Sequence, residues 1–278
     1  MYKAFSSNHL GFPNRSVKDD IPLAVQFGFE GLGFDVRKEA AESSSSEIKD
    51  LLGAHKLKAS GFGLPVNMRN GQEAYEADLK NLEKHCKFAQ ETGNTRSVCY
   101  ISPFSDTLDY SANMKHHVTW LKPVAKTLED HGIRIGFEFI GTPSLRRGKA
   151  HEFIHTMEGL FELIDAIGTS NLGCCMDLFH WDMAGHTYED FKKIPNQEWI
   201  VVSHINDVSV GVSREDQPDM ERELPGATGI LKIADYMKGK RDLGYDGPVI
   251  VEPFNAAVRA LPIEEAVKLA KASIDKVW

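Results

Sequence analysis

Residues 133–139 read IRIGFEF, a short apolar run that carries a glutamate near its end. Three further runs have the same form: LGCCMD at 172–177, IVVSHIND at 200–207 and PVIVEPF at 248–254. Each has the length and composition of a buried β-strand, and each turns polar near its carboxyl end. The polar residues at these four ends are Glu138, Asp177, His204 and Glu252.

The rest of the chain also alternates apolar runs with amphipathic stretches long enough for helices. Helices are expected over residues 19–28, 46–56, 73–92, 112–131, 153–167, 188–193, 229–243 and 263–277. With a weak first strand around Phe5, the chain contains eight strand–helix units. Alternating strands and helices indicate a parallel sheet, and eight units over 278 residues predict an α/β fold of one domain, a single (β/α)8 TIM barrel spanning residues 1–278. The alternative is an open, doubly wound sheet, although no glycine-rich phosphate fingerprint follows the first strand.

Composition restricts the classes of partner and the compartment. The chain is 42% hydrophobic and has a formal net charge of −8, so phosphate backbones are repelled and no nucleic-acid partner is expected. No run approaches the roughly 18 apolar residues of a membrane span, and the amino terminus lacks an apolar stretch typical of a signal peptide. Four scattered cysteines without a C-x-x-C pair are typical of free thiols in a reducing compartment. We therefore expect a cytoplasmic protein without a membrane partner.

The four polar strand ends predict a metal site. In an α/β barrel the carboxyl ends of the strands meet on one face, where active sites form. Taken singly, Asp177 is typical of a helix cap and His204 of a satisfied core histidine. Their shared position in four consecutive units favours one divalent ion bound by all four residues. Three carboxylates and one imidazole suit Mn²⁺ best, with Mg²⁺, Co²⁺ and Zn²⁺ as alternatives.

These motifs resemble those of the xylose isomerase-like barrel superfamily, in its sugar isomerase and epimerase branch. The resemblance covers essentially the whole chain and rests on GFEGLGFD at 28–35, EFIG at 138–141, MDLFH at 176–180, SHIND at 203–207 and GYDGPVIVEPF at 244–254. Ketose 3-epimerases usually have an arginine shortly after the metal histidine. Here the first arginine after His204 is Arg214, ten residues on. The long insert before the last strand is more similar to the inosose isomerase and dehydratase relatives.

The resemblance implies roles for individual residues. Glu138, Asp177, His204 and Glu252 match the metal ligands, Glu138 and Glu252 also match the paired acid/base glutamates, and His180 matches a histidine that faces the substrate. The implied activity is a metal-dependent isomerase or epimerase of a ketose, inosose or sugar phosphate. It would use glutamate-mediated proton transfer through a metal-stabilised enediolate.

Several other residues are candidates for substrate binding because they lie on predicted loops at the same face. Arg146 and Arg147, in the loop after Glu138, have the chemistry to bind a carboxylate, phosphate or hydroxyl. Trp181 is suited to form an apolar wall under a sugar ring, and His9 follows the first strand. Loop surface and core packing remain open as alternative interpretations of these residues.

Three other functions compete with this prediction. A dehydratase or lyase acting on a keto-sugar or keto-inositol would use the same site, and the residues do not separate it from an isomerase. An endonuclease of the same superfamily needs additional histidines for three zinc ions, which the third and fourth strands lack. A non-catalytic sugar-binding barrel would not need a second glutamate. We expect a small sugar-like or polyol-like substrate, and a homo-oligomer is left open.

Overall fold

The computed structural model describes residues 1–278, in which strands and helices alternate along the chain. The strands are β1 Tyr2–Phe5, β2 Gly31–Leu32, β3 Lys58–Ala59, β4 Phe62–Gly63, β5 Arg96–Ile101, β6 Phe104–Ser105, β7 Arg134–Phe139, β8 His151–Glu152, β9 Leu172–Asp177, β10 Ile200–Ile205 and β11 Pro248–Val251. The helices are α1 Val17–Phe27, α2 Val36–Glu42, α3 Ser45–Ala54, α4 Gln72–Glu91, α5 Tyr110–Asp130, α6 Pro143–Arg146, α7 Met157–Ile167, α8 Leu178–Met183, α9 Ile233–Leu243, α10 Ala256–Arg259 and α11 Ile263–Val277. Three 3₁₀ turns complete the set, at Tyr188–Lys193, Gln197–Trp199 and Arg214–Asp216.

The main sheet is a closed parallel barrel. Its nine segments follow the order β3-β2-β1-β11-β10-β9-β7-β5-β4. The two end segments, β3 and β4, are parts of one interrupted strand over residues 58–63, so the nine segments form eight barrel strands and the ring closes. This architecture confirms the predicted α/β barrel.

The interruption between β3 and β4 depends on a glycine and a buried amide. Gly61 has a φ of 128°, which a residue with a Cβ rarely adopts. The side chain of Asn94, fully buried, accepts a hydrogen bond from the Gly61 N–H at 2.9 Å and donates to its carbonyl at 3.4 Å. The backbone groups that leave the ladder are thus satisfied, and the strand changes neighbours without an orphaned polar group.

The apolar side chains form two layers. A cluster of 58 buried residues lies mainly between the sheet and the surrounding helices. A smaller cluster fills the inside of the barrel below the carboxyl ends of the strands, and consists of Tyr2, Ala4, Cys175, Val201, Val202 and Ile250. The barrel interior is therefore packed, and only its upper end is available for polar chemistry.

Several predicted helix boundaries are wrong. The helix expected over 153–167 begins at Met157, where the Thr156 side chain accepts a hydrogen bond from the Gly159 N–H at 3.3 Å. The segment before it pairs instead in a short antiparallel ribbon of β6 and β8. Residues 188–193 form a 3₁₀ turn, and the helix of that unit, α8, lies earlier in the chain. The helix expected over 229–243 begins at Ile233.

Two features of the structure relate to the expected reducing compartment and to the expected lack of a membrane partner. Cys86, Cys99, Cys174 and Cys175 are all free. None of the helices combines the length and the apolar character needed to cross a membrane.

Candidate metal and active site

The barrel strands bring the four predicted metal ligands together at their carboxyl ends. His204 in β10 is in register with Asp177, the last residue of β9, and with Ile250 in β11. Glu252 follows β11 directly, and its backbone N–H donates to the Ile205 carbonyl at 3.1 Å. Because side chains in register on neighbouring parallel strands project to the same face, the ligand side chains point into the barrel mouth.

The ligand atoms of these four residues all lie within 4.8 Å of one another. The His204 Nδ1 atom is 3.2 Å from Glu252 Oε2, 3.7 Å from Glu138 Oε1 and 3.9 Å from Asp177 Oδ2. Asp177 and His204 are almost completely buried, whereas the Glu138 side chain remains 15% exposed. The cluster is thus closed below and opens towards solvent beside Glu138.

The donor set fits a divalent cation. Glu138 Oε1 is buried but has no hydrogen-bond partner, and an unsatisfied buried carboxylate oxygen is costly unless a cation or water completes it. Three carboxylates and one imidazole supply oxygen and nitrogen ligands of the kind that Mn²⁺ or Zn²⁺ accepts. The residues that would hold the ion are Glu138, Asp177, His204 and Glu252.

Asp177 is oriented by its neighbours. Its Oδ1 atom caps α8 by accepting from the N–H groups of Phe179 at 2.6 Å and His180 at 3.3 Å. The Asn206 side chain donates to both carboxylate oxygens, at 3.2 Å and 3.1 Å. The cap and the metal ligand predicted as alternatives for this residue are therefore compatible, since one carboxylate serves both geometries.

A buried arginine that sequence analysis missed, Arg222, also lies in the site. Its Nη1 atom is 3.1 Å from Asp177 Oδ2 and 3.3 Å from Glu252 Oε2. It comes from the long insert between β10 and α9. Arg214, the first arginine after His204, is instead half-exposed and lies 3.8 Å from Asp182. The arginine that contacts the cluster thus lies further along the chain than Arg214, the first arginine after His204.

The insert is held over the barrel by hydrogen bonds to Asp207. Its Oδ2 atom accepts from the N–H groups of Thr228 at 3.0 Å and Gly229 at 2.9 Å. Its backbone also pairs with that of Glu223, the residue after Arg222. Asp207 is the last residue of the SHIND motif, so the motif contains both the predicted ligand His204 and the residue that fixes the loop carrying Arg222.

His9 and His180, two further predicted substrate-binding residues, lie near the cluster, and substrate binding by either one remains a prediction. Arg222 donates to His180 Nε2 at 3.1 Å, so His180 carries its proton on Nδ1, which lies 3.4 Å from Thr142 Oγ1. His9 Nε2 is 3.4 Å from Glu252 Oε1, and its side chain is 20% exposed. His9 therefore borders the opening, whereas His180 lies behind Arg222.

The structure places the three other candidates away from the cluster. Trp181 is buried and packs between His186 and Phe191, with ring centroids 4.7 Å and 4.9 Å away. Arg146 donates to the carbonyls of its own loop, at 3.0 Å and 3.3 Å. Arg147 is exposed and pairs with Asp216 at 2.7 Å. Substrate binding by these three residues remains a prediction.

The ionisable groups of the cluster affect one another strongly. Burial raises the pKa of Glu138, and the charge of Glu252 adds to this rise. Burial alone would also raise the pKa of Glu252, but His204 outweighs it and the pKa of Glu252 falls. Burial lowers the pKa of His9 to about 4, so this imidazole is neutral at pH 7.

Comparison with known families defines the class of protein. A family model described as "Xylose isomerase-like TIM barrel" matches residues 21–276. The chain therefore belongs to the xylose isomerase-like TIM barrel family.

Individual relatives are more distant. The inosose isomerase of Bacillus velezensis is 23% identical over 277 residues, which cover 95% of this chain and 92% of that protein. The inosose isomerase of Halalkalibacterium halodurans is 25% identical over 81% of this chain and 77% of its own length. Among solved structures, a xylose isomerase domain protein from Alicyclobacillus acidocaldarius covers 100% of this chain and 98% of its own, with a TM-score of 0.88 at 22% identity. The IOLI protein with a bound zinc atom has the same coverages, with a TM-score of 0.81 at 20% identity. These structures show that the fold is shared.

Proposed function

We propose that the protein is a divalent-metal-dependent isomerase or epimerase that acts on a ketose, an inosose or a sugar phosphate. The observation that carries this proposal is the convergence of two glutamates on one buried cluster. Glu138 and Glu252 come from β7 and from the end of β11, and both approach the same nitrogen of His204. A site for binding alone would not need a proton acceptor on either side.

The residue types explain the chemistry. A proton on the carbon next to a carbonyl is weakly acidic, and a carboxylate beside that carbon is the ordinary general base for its removal. When bound, a divalent ion supplies positive charge that stabilises the oxygen on which negative charge develops. Glu138 and Glu252 would serve as the two proton carriers, so that one removes a proton and the other returns one at a different face or carbon. His204, and to a smaller extent Arg222, would keep Glu252 ionised, and Arg222 would also orient it through its contact at 3.3 Å.

The relatives support the same class of reaction. The curated relatives that match most of the chain are named inosose isomerases, and an inosose is a cyclic ketone with hydroxyl groups on the adjacent carbons. Because identity is only 23–25%, the particular substrate of this protein belongs to the proposal.

Dehydration is the competing outcome of the same chemistry. If the intermediate expels a β-hydroxyl group instead of regaining a proton, the product loses one water. An isomer and a dehydrated product differ in mass, so product analysis separates the two reactions.

The test is incubation of the purified protein with Mn²⁺ and a panel of ketoses and inososes in deuterated water. We expect deuterium in one substrate at the carbon next to the carbonyl, together with an isomer whose mass differs from that of the substrate only by the incorporated deuterium. A product that lacks one water would assign the protein to the dehydratases. Absence of exchange and of product over the whole panel, with Mn²⁺, Mg²⁺, Co²⁺ and Zn²⁺ each supplied, would refute the proposed function.

A further inference from the structure

An arginine without a carboxylate partner lies at the rim of the barrel. Arg69 belongs to the loop between β4 and α4, and its guanidinium carbon is 3.5 Å from the centroid of the Tyr100 ring. Cation–π attraction holds a guanidinium over an aromatic face. The Arg69 side chain is exposed and its guanidinium N–H groups make no hydrogen bond within the chain, so they are available to a ligand.

Tyr100 connects this arginine to the candidate active site. In the sheet, Tyr100 on β5 is in register with Glu138 on β7, and neighbouring strands lie about 4.8 Å apart. Val98, two residues earlier on β5, packs against the interior cluster of the barrel. Because side chains alternate along a strand, Tyr100 also projects to the inside, and it is 44% exposed there. Its ring therefore lines the open mouth next to Glu138.

Arg69 differs from the other cationic residues near this rim, because each of those has a partner within the chain. Arg147 pairs with Asp216 at 2.7 Å and Lys149 with Asp106 at 3.1 Å. Arg146 donates to two backbone carbonyls. Arg69 makes neither kind of contact, so its positive charge is not neutralised within the chain.

We propose that Arg69, supported by Tyr100, binds an oxyanion at the end of the substrate, a phosphate or carboxylate carried a few carbon atoms from the reacting carbonyl. This inference rests on the proposed function, since it assigns the other end of the substrate to the metal cluster. A planar guanidinium presents parallel N–H donors that match an oxyanion. The carboxylates of the cluster repel the same group, so the substrate binds in one orientation, with its anion at Arg69.

The first test compares matched substrates. Rates of solvent deuterium incorporation are measured for fructose, fructose 6-phosphate and 5-ketogluconate, with the wild type, Arg69→Met, Arg69→Lys and the charge-matched control Lys122→Met, an exposed residue on α5. We expect the wild type to prefer one of the anionic ketones. Arg69→Met should raise the KM for that anionic ketone by about 10- to 100-fold, which corresponds to the loss of one charge-assisted hydrogen bond. The kcat should change little. The KM of Arg69→Lys should lie between those of the wild type and Arg69→Met, and the KM of Lys122→Met should equal that of the wild type.

Whether phosphate or carboxylate is preferred follows from the two anionic substrates. An equal loss on neutral fructose, or unchanged KM values in Arg69→Met, would overturn the inference.

The second test does not depend on turnover. Sulfate is titrated calorimetrically into the full-length protein as purified. We expect Arg69→Met to weaken sulfate binding at least about tenfold relative to both the wild type and Lys122→Met. Equal binding by all three proteins would overturn the inference. If no ketone is turned over but this difference is found, the proposed function fails and the anion site stands.

Discussion

At the residue scale, the glutamate pair provides the sharpest prediction. Glu138→Gln and Glu252→Gln should each lower turnover by about 10²–10⁴-fold, because an amide keeps the size and one oxygen of the side chain but cannot accept a proton. The folds should survive, since the substitutions are isosteric. Steady-state rates and circular dichroism measure the two effects.

The two glutamate variants should differ in which proton-transfer step they lose. If the glutamates serve different faces or carbons, one variant should still exchange the substrate's proton with solvent without forming product, which deuterium incorporation detects. Glu215→Gln, in the exposed Arg214–Asp216 turn, is the matched control and should keep the wild-type rate. Near-native turnover by both active-site variants would show that the two-base mechanism is wrong.

The sequence identifies some site residues better than others, for a physical reason. Glu138, Asp177, His204 and Glu252 could be predicted to share one site because each ends a strand with a strong apolar signal. Arg222 could not, because it lies in an irregular insert whose path is set by hydrogen bonds to Asp207 rather than by any periodic pattern. Metal binding by the four residues stays a prediction until the ion is measured.

At the element scale, a buried lysine links α9 to the barrel. Lys240 is fully buried and donates from Nζ to Ser203 Oγ at 2.8 Å, while Tyr236 lies 3.2 Å from the same oxygen. Burial lowers the pKa of Lys240 well below its usual value. Lys240 therefore holds its proton less tightly in the folded state than in the unfolded chain, where its pKa is about 10.4.

This difference predicts how stability depends on pH. Because folding lowers its pKa, Lys240 opposes folding at pH values below the unfolded pKa. This cost shrinks as the pH rises from the folded pKa towards the unfolded pKa, by up to about 1.4 kcal/mol per pH unit. Lys240→Met removes this term and, near pH 7, should leave the protein at least as stable as the wild type. Urea unfolding of the wild type, Lys240→Met and the exposed control Lys268→Met at pH 7, 8 and 9 measures the slopes. Parallel curves for the wild type and Lys240→Met would show that the folded protein keeps the lysine protonated.

The elements themselves were predictable where they are long and periodic. The helix predicted over 263–277 has those bounds in the structure, since its apolar positions repeat at helical spacing. The antiparallel ribbon of β6 and β8 could not be predicted, because it pairs two-residue segments more than 40 residues apart. The break between β3 and β4 likewise depends on Asn94, a residue distant in sequence.

At the scale of the whole molecule, the closed barrel concentrates negative charge at one end. Three carboxylates from different strands meet there, and Arg222 contacts two of them, Asp177 and Glu252. Like charges brought together by folding oppose the folded state. A divalent cation that binds the assembled cluster, but not the unfolded chain, should therefore stabilise the entire fold.

We expect metal to raise the melting temperature and one conservative substitution to abolish this effect. Binding at a free metal concentration of about 100 Kd stabilises by about 2.7 kcal/mol, which corresponds to a rise in Tm of roughly 5–10 °C for a domain of this size. Asp177→Asn keeps the cap of α8, because asparagine also caps helices, but removes one ligand charge. Asp109→Asn makes the same change at the cap of α5, away from the cluster. This variant should keep the full rise in Tm on addition of metal. Thermal unfolding with EDTA and with added Mn²⁺ compares the three proteins. If the Tm of Asp177→Asn rose with Mn²⁺ as much as that of the wild type, the stabilising ion would have to be bound elsewhere. Both variants replace a capping aspartate by asparagine, so a rise that is lost only in Asp177→Asn is due to the loss of a carboxylate from the cluster and not to the change of cap.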